Sequence, residues 1–258
     1  MTEYSLYLDD SGHPDNQPYV VVAGYVASEA QWLAFEPEWK STLAKYQLGD
    51  VFHMTDFMAT RSRYTTLRLD QILGSLASVI KKHTVCPFFC AVDVAAYKRV
   101  NDEFTLQECH GAPFAIATRA IWRDIHIWQR TLPAGDRFLA FVEEGTKHYG
   151  EMEQVLKRDG VSVPNRVPKS TPQAQPADML AWEGFNWLRA GHPRKMGPNL
   201  DRLTKPIRRQ QNFGGCMFEH DLRKICEDTN VMLRAIIKDG DTIAFHSDKK
   251  RKRKRTIK

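Results

Sequence analysis

The apolar positions of this chain fall into two rhythms, one of period two and one of three to four. In "YSLYLDDSG" (4–12), Ser5, Tyr7 and Asp9 share one face of an extended chain, while Leu6, Leu8 and Asp10 share the other. This pattern predicts a strand over 3–9. "YVVVAGYV" (19–26) reads as a second strand, joined to the first by the turn-forming residues of "DDSGHPDNQ" as an antiparallel pair. Ser28 with Gln31 forms a capping-box start for a helix over 28–47, with Pro37 expected to kink or break it. "DVFHMTDF" (50–57) reads as a short extended piece. A helix over 67–83 carries an apolar face of Leu67, Leu69, Ile72, Leu73, Leu76, Val79 and Ile80. "VCPFFCAVDV" (85–94) is a third strand, and Pro113 opens a helix to 132 with Ile116, Ala120, Ile121, Ile125 and Trp128 on one side. "RFLAFVEEG" (137–145) is the most buried-looking strand. Helices follow over 150–158 and 176–191, then an irregular basic stretch over 192–217 and a helix over 218–237.

Strands first and β–α alternation afterwards predict an α/β fold, a mixed sheet covered by helices. At 258 residues with 42% hydrophobic content, the chain can bury a substantial core. No internal repeat is visible. The expected organisation is a core over 1–190, a helical C-terminal extension packed on it over 191–240, and a disordered polybasic tail over 241–258. No apolar run approaches the roughly 18 residues of a membrane span, and the acidic, turn-rich start does not read as a signal peptide, so no membrane partner and a cytoplasmic location are expected. Five cysteines, an odd number in a chain long enough to need no staples, point to a reducing compartment. Cys86, Cys90 and the pair Cys109-His110 could be assembled into a zinc site, but "CPFFC" has the wrong spacing and no partner pair, so buried thiols fit better.

Charge changes the picture at one end only. The net charge is +6, yet eight of the 37 Lys and Arg lie in 249–258, leaving 29 basic against 31 acidic residues elsewhere. Lys249, Lys250, Arg251, Lys252, Arg253, Lys254 and Arg255 form a run that would bind polyanions through phosphate contacts and counterion release, which makes nucleic acid the expected partner. A protein partner is a further expectation.

Acids mark the ends of several predicted elements: Asp9 ends the first strand, Glu143 or Glu144 ends a later one, and Asp178 begins a late helix. Alternation groups Glu143 with Leu139 and Phe141, and Glu144 with Phe138, Ala140 and Val142, leaving the choice between them open. Gathered together, such carboxylates would raise one another's pKa, a penalty that a divalent cation removes. Mg²⁺ or Mn²⁺ takes oxygen ligands and supports phosphoryl displacement. Each acid also has a plainer reading: "DDSG" is turn chemistry, and an acid in a helix's first turn favours the macrodipole. A hydrolase built on Ser11 and His13 is poorly supported, since both sit in a polar turn without an orienting partner. Trp122, Trp128, Trp182 and Trp187 read as core rather than as a base-stacking platform.

Four segments, in order, resemble a widespread bacterial and phage family of uncharacterised RNase H-like proteins. "YLDDSG" is similar to the Tyr-x-Asp-Glu-Ser-Gly opening of that family, with Asp10 in place of Glu. "FHMTDF" (52–57) is similar to its Phe-His-(Ala/Ser)-x-Asp segment, "FLAFVEEG" to its acid-ending strand, and "QAQPADMLAWE" (173–183) to its Leu-Gln-x-Ala-Asp signature, with Pro176 where that signature has an apolar residue. The resemblance spans 4–190. It implies an RNase H-like fold and phosphodiester hydrolysis at metal-bound carboxylates; the sequence departs from the simplest form of that fold in placing helices between the second and third strands, where that form has a meander. Carried over by position, Asp9, Glu143 and Asp178 are the implied catalytic metal ligands. His53 is implied as a ligand or proton-transfer group, and Asp10, Glu144 and Asp56 as supporting residues around them. The rival expectation is a non-catalytic nucleic-acid- or partner-binding module on the same fold.

Overall fold

The computed structural model of the chain describes residues 2–146, 148–191, 196–204 and 213–238, without the side chains of 213, 214 and 230–238. The polybasic run 249–258 lies outside the described residues. At the centre are β1 (Glu3–Ser11), β2 (Tyr19–Ser28), β3 (Cys86–Asp93), β4 (Arg137–Glu143), β5 (Asn165–Val167) and β6 (Phe213–Met217), which form one sheet in the order β5-β4-β1-β2-β3-β6. β2 runs antiparallel to both β1 and β3, whereas β4 is parallel to β1, β5 to β4 and β6 to β3. The fold is α/β, a six-stranded mixed sheet flanked by helices.

β2 shows why the sheet is central. Val20, Val22 and Val26 join one core, and Val21, Ala23, Tyr25 and Ala27 the other. With both faces apolar, such a strand must lie between two helical layers. The first layer holds α4 (Val94–Phe104), α6 (Pro113–Gln129), α7 (Tyr149–Arg158) and part of α10 (Glu219–Lys238). The second holds α1 (Glu29–Tyr46), α2 (Met54–Ala59), α3 (Thr66–His83), α8 (Gln175–Arg189) and α9 (Pro198–Thr204). A short α5 (Leu106–His110) links α4 to α6.

Several expectations change. β1 continues through Asp10 to Ser11, so Asp10 is paired within the strand opposite Val22 rather than turning. α1 begins at the Ser28–Gln31 capping box and runs through Pro37 without a break. Burial of Trp32, Phe35, Trp39 and Leu43 along one face offsets the backbone hydrogen bond that Pro37 cannot make. Residues 54–59 form α2 instead of an extended piece. Leu67 is exposed, because α3 has only just begun there and the buried stripe starts at Ile72. Within 192–217, Pro198–Thr204 is helical and Phe213–Met217 extends the sheet beyond β3, so the C-terminal segment contributes a strand to the sheet as well as helix α10. Cys86 and Cys90 are buried free thiols on the inner face of β3. No described helix is long and apolar enough to cross a membrane.

Candidate functional site

Tyr7, Asp9, Phe141 and Glu143 lie on the same face of the parallel pair β1–β4, with the Tyr7 and Phe141 rings stacked at 4.8 Å. The last paired residues are Leu8 and Val142, so Asp9 and Glu143 follow side by side at the carboxyl ends of both strands. Both acids are buried, and Glu144 is exposed. Glu144 uses its main-chain N–H to bond Val167, which extends the β4–β5 pairing.

Asp178 reaches this end from α8. Its helix lies close on the sheet because Gly184 has no side chain: a Cβ there would come 2.2 Å from Cε2 of Phe89. The start of α8 is pinned by the buried amide of Gln175, whose Oε1 accepts from Trp39 Nε1 at 2.8 Å and from the Phe52 N–H at 3.0 Å. Pro176 fits at the first turn, where a helix needs no N–H. Asp178 is itself buried, and its Oδ2 accepts from the Met54 N–H at 2.5 Å instead of capping its own helix.

The 52–57 segment thus folds onto α8. His53 precedes α2, with Nε2 3.5 Å from Asp178 Oδ1 and Nδ1 3.6 Å from the exposed Asp56. Nδ1 of His53 and Nε2 of Gln175 are the buried side-chain nitrogens that lack a hydrogen-bond partner among the described residues.

The electrostatics follow from this crowding. Burial, then the charges of Asp178, Glu143 and Asp10, hold the Asp9 carboxyl well above its ordinary range, against the pull of a hydrogen bond from the Asp10 main chain. Burial likewise pushes Asp178 up from 3.8 to about 6; Glu143 adds to the rise, while His53, the Met54 amide and Lys169 oppose it. Lys169, in the segment between β5 and α8, places Nζ 3.1 Å from Glu143 Oε1. The hydrogen bond to Glu143 and that carboxylate's charge hold the ammonium above its ordinary range, and Asp9 and Asp178 act in the same direction.

The structure therefore brings together Asp9, Glu143, Asp178 and His53. It leaves Asp56 at the rim, turns Glu144 outward, and sets Asp10 within electrostatic reach of Asp9. Asp93, which also ends a strand, is the N-cap of α4 and accepts from the Ala96 N–H at 2.9 Å. Lys169 and Gln175 were not apparent as site residues; Gln175 lies inside the "QAQPADM" motif, whereas nothing local marks Lys169. Among the described residues, no group of three or more His, Cys, Asp or Glu side chains stands ready to hold a metal ion. The acids are within electrostatic reach of one another but are not drawn into a chelating set. Two of the larger concavities, about 410 Å³ beside α6 and about 460 Å³ beside α3, are lined by other residues.

No family model matches the chain, and neither a curated protein nor a solved structure does.

Proposed function

We propose that the chain is an Mg²⁺- or Mn²⁺-dependent nuclease on an RNase H-like fold, hydrolysing phosphodiester bonds at the carboxyl ends of β1 and β4. The observation that carries this reading is the convergence of three buried carboxylates, Asp9, Glu143 and Asp178, from separate elements. Burying mutually repelling acids destabilises a fold, and it becomes intelligible where the acids serve a cation. The antiparallel run β1-β2-β3, followed by strands parallel to β1 on its other side, supports the fold assignment.

The donor set fits a hard cation. Asp9, Glu143 and Asp178 offer carboxylate oxygens, which suit Mg²⁺ or Mn²⁺, and no thiol lies among them. Holding an ion would require these side chains to draw together and Lys169 to withdraw from Glu143. When bound, such a cation supplies Lewis-acid stabilisation of charge on the phosphodiester and lowers the pKa of an attacking water. The chain's own residues set the geometry. The Met54 amide fixes Oδ2 of Asp178, and His53 faces its other oxygen, where it can exchange a proton with a nearby water. Asp56 lies 3.6 Å from the other ring nitrogen, at the rim of the site. The tail around Lys249–Arg255 supplies non-specific attraction to nucleic acid.

A second reading, a nucleic-acid- or partner-binding module without catalysis, draws on one observation: Lys169 already gives Glu143 a cationic partner. A digest of labelled single- and double-stranded DNA and RNA with Mn²⁺ separates the two. Cleavage leaving 5′-phosphate ends, lost in Asp9→Asn, is expected of the nuclease. Binding without cleavage of any substrate would favour the module.

A further inference from the structure

Lys169 differs from the surface lysines in what it faces. Lys40 and Lys157 pair with acids one helical turn away and Lys82 with the single, partly exposed carboxylate of Glu38, whereas Lys169 reaches back to the buried Glu143 at the end of β4 and acts on Asp9 and Asp178 as well. His53 also acts on Asp178, with Nε2 3.5 Å from its Oδ1. The site thus pairs a nearly buried carboxylate with an ammonium whose side chain is 63% exposed.

The main chain that carries this lysine is held in place. The Thr171 N–H donates to Pro168 O at 2.9 Å, and the Ala174 N–H donates to Thr171 O at 3.1 Å, closing consecutive turns into α8. The four-carbon stem is long, flexible and largely in solvent. Rotation about its bonds can carry the ammonium away from Glu143 while the turn, α8 and Asp178 stay where they are. An anchored backbone with a mobile charge is the arrangement expected of a counter-ion that must yield its place.

Resting on the metal-dependent reading above, we infer that Lys169 is an internal counter-ion: it holds the acid cluster in the cation-free protein and is displaced from Glu143 when a divalent cation binds. The ammonium and the cation answer to the same carboxylate charge, so each weakens the hold of the other. The lysine keeps Asp9, Glu143 and Asp178 assembled when no cation is present, at the expense of some affinity when one arrives. Lys169 is thereby a positioning residue for the ligands.

The test is calorimetric titration of Mn²⁺ into the cation-free full chain, with melting curves for wild type, Lys169→Met, Lys169→Arg and Asp9→Asn. Lys169→Met is expected to melt lower without cation yet bind Mn²⁺ about fivefold more tightly, the scale of a partly exposed ion pair. Lys169→Arg, which keeps the charge, should bind Mn²⁺ like wild type. A merely structural lysine would lose stability with Mn²⁺ affinity unchanged or weakened, and that result overturns the inference while the metal site stands. If wild type and Asp9→Asn are equally silent to Mn²⁺, the inference falls together with the metal-dependent reading.

Discussion

The main-chain N–H of Met54 donates a 2.5 Å hydrogen bond to Oδ2 of Asp178, and the imidazole of His53 stands 3.5 Å from the other oxygen of that carboxylate. Two motifs 124 positions apart thus meet in one contact, and the acid is held by a main-chain hydrogen bond at one oxygen and faced by an imidazole at the other. The bond also gives a way to separate structure from chemistry. Asp178→Asn keeps an oxygen acceptor for the buried N–H and removes a repelling charge, so its cation-free stability should match or exceed wild type. Asp178→Ala leaves that N–H without a partner and should cost about 1–3 kcal/mol. Urea denaturation of the two variants measures the difference; equal losses would deny the hydrogen bond its part in holding the 52–57 segment.

The acids at element ends were legible because strand alternation and helix spacing are local signals. Asp9 and Glu143 follow the apolar runs of their strands, and Asp178 lies in the first turn of a helix that the apolar pattern already outlines. The remainder depends on contacts the pattern does not carry. β5 is three residues long, and β6 contains Gly214 and Gly215, so neither shows a period of two. α2 is too short for a helical repeat, and α4 starts directly where β3 ends, with Asp93 serving both. Lys169 has no local feature of its own; only the folding of the segment before α8 past the end of β4 gives that lysine a carboxylate to face. The order of Glu143 and Glu144 was ambiguous from alternation alone, and the register of β4 against β1 turns Glu143 inward.

Stability without cation should depend on pH in a direction set by these acids. Asp178 is held at about 6 against an ordinary 3.8, and Asp9 is also held well above its ordinary value. Each binds its proton more tightly folded than unfolded, so the folded state is favoured at low pH. That advantage is lost as pH rises from near 3.8 through about 6. Glu36 and Glu38, held low by Lys40 and by His83 with Lys82, work in the opposite sense, so total stability mixes both trends. The useful quantity is the difference between wild type and Asp178→Asn. The variant should gain on wild type as pH rises from 4 to 7, by denaturant unfolding at each pH. A difference that stays flat over this range would show that Asp178 titrates normally.

The seat of α8 can be tested apart from the acids. Ala normally stabilises a helix interior relative to Gly. At Gly184 the added Cβ would come 2.2 Å from the ring of Phe89, so Gly184→Ala should instead destabilise by about 1–3 kcal/mol and lift Asp178 away from the ends of β1 and β4. Phe89→Leu opens the space, and the double variant should recover part of the loss, a coupling that a double-mutant cycle of melting curves reads directly. Additive effects would place the contact elsewhere.

Catalysis should fail as a unit. Asp9, Glu143 and Asp178 come from three elements but share one small region at the end of the parallel pair, so each alone is expected to be insufficient for phosphodiester hydrolysis. Asp9→Asn, Glu143→Gln and Asp178→Asn should each lower cleavage on the order of a thousandfold or more, and the triple variant should be hardly worse than any single one. Glu144→Gln changes a carboxylate that faces solvent and should leave cleavage intact, while Asp10→Asn, which removes a neighbouring charge from Asp9, should fall between. Circular dichroism of every variant checks that the fold persists: Asp9→Asn and Asp178→Asn each remove a repelled buried charge, whereas Glu143→Gln also gives up the ion pair with Lys169. Rates from a Mn²⁺-supplemented digest that multiply across the three changes would mean that the acids act independently. Activity that survives both Asp9→Asn and Asp178→Asn would move the chemistry to another part of the molecule.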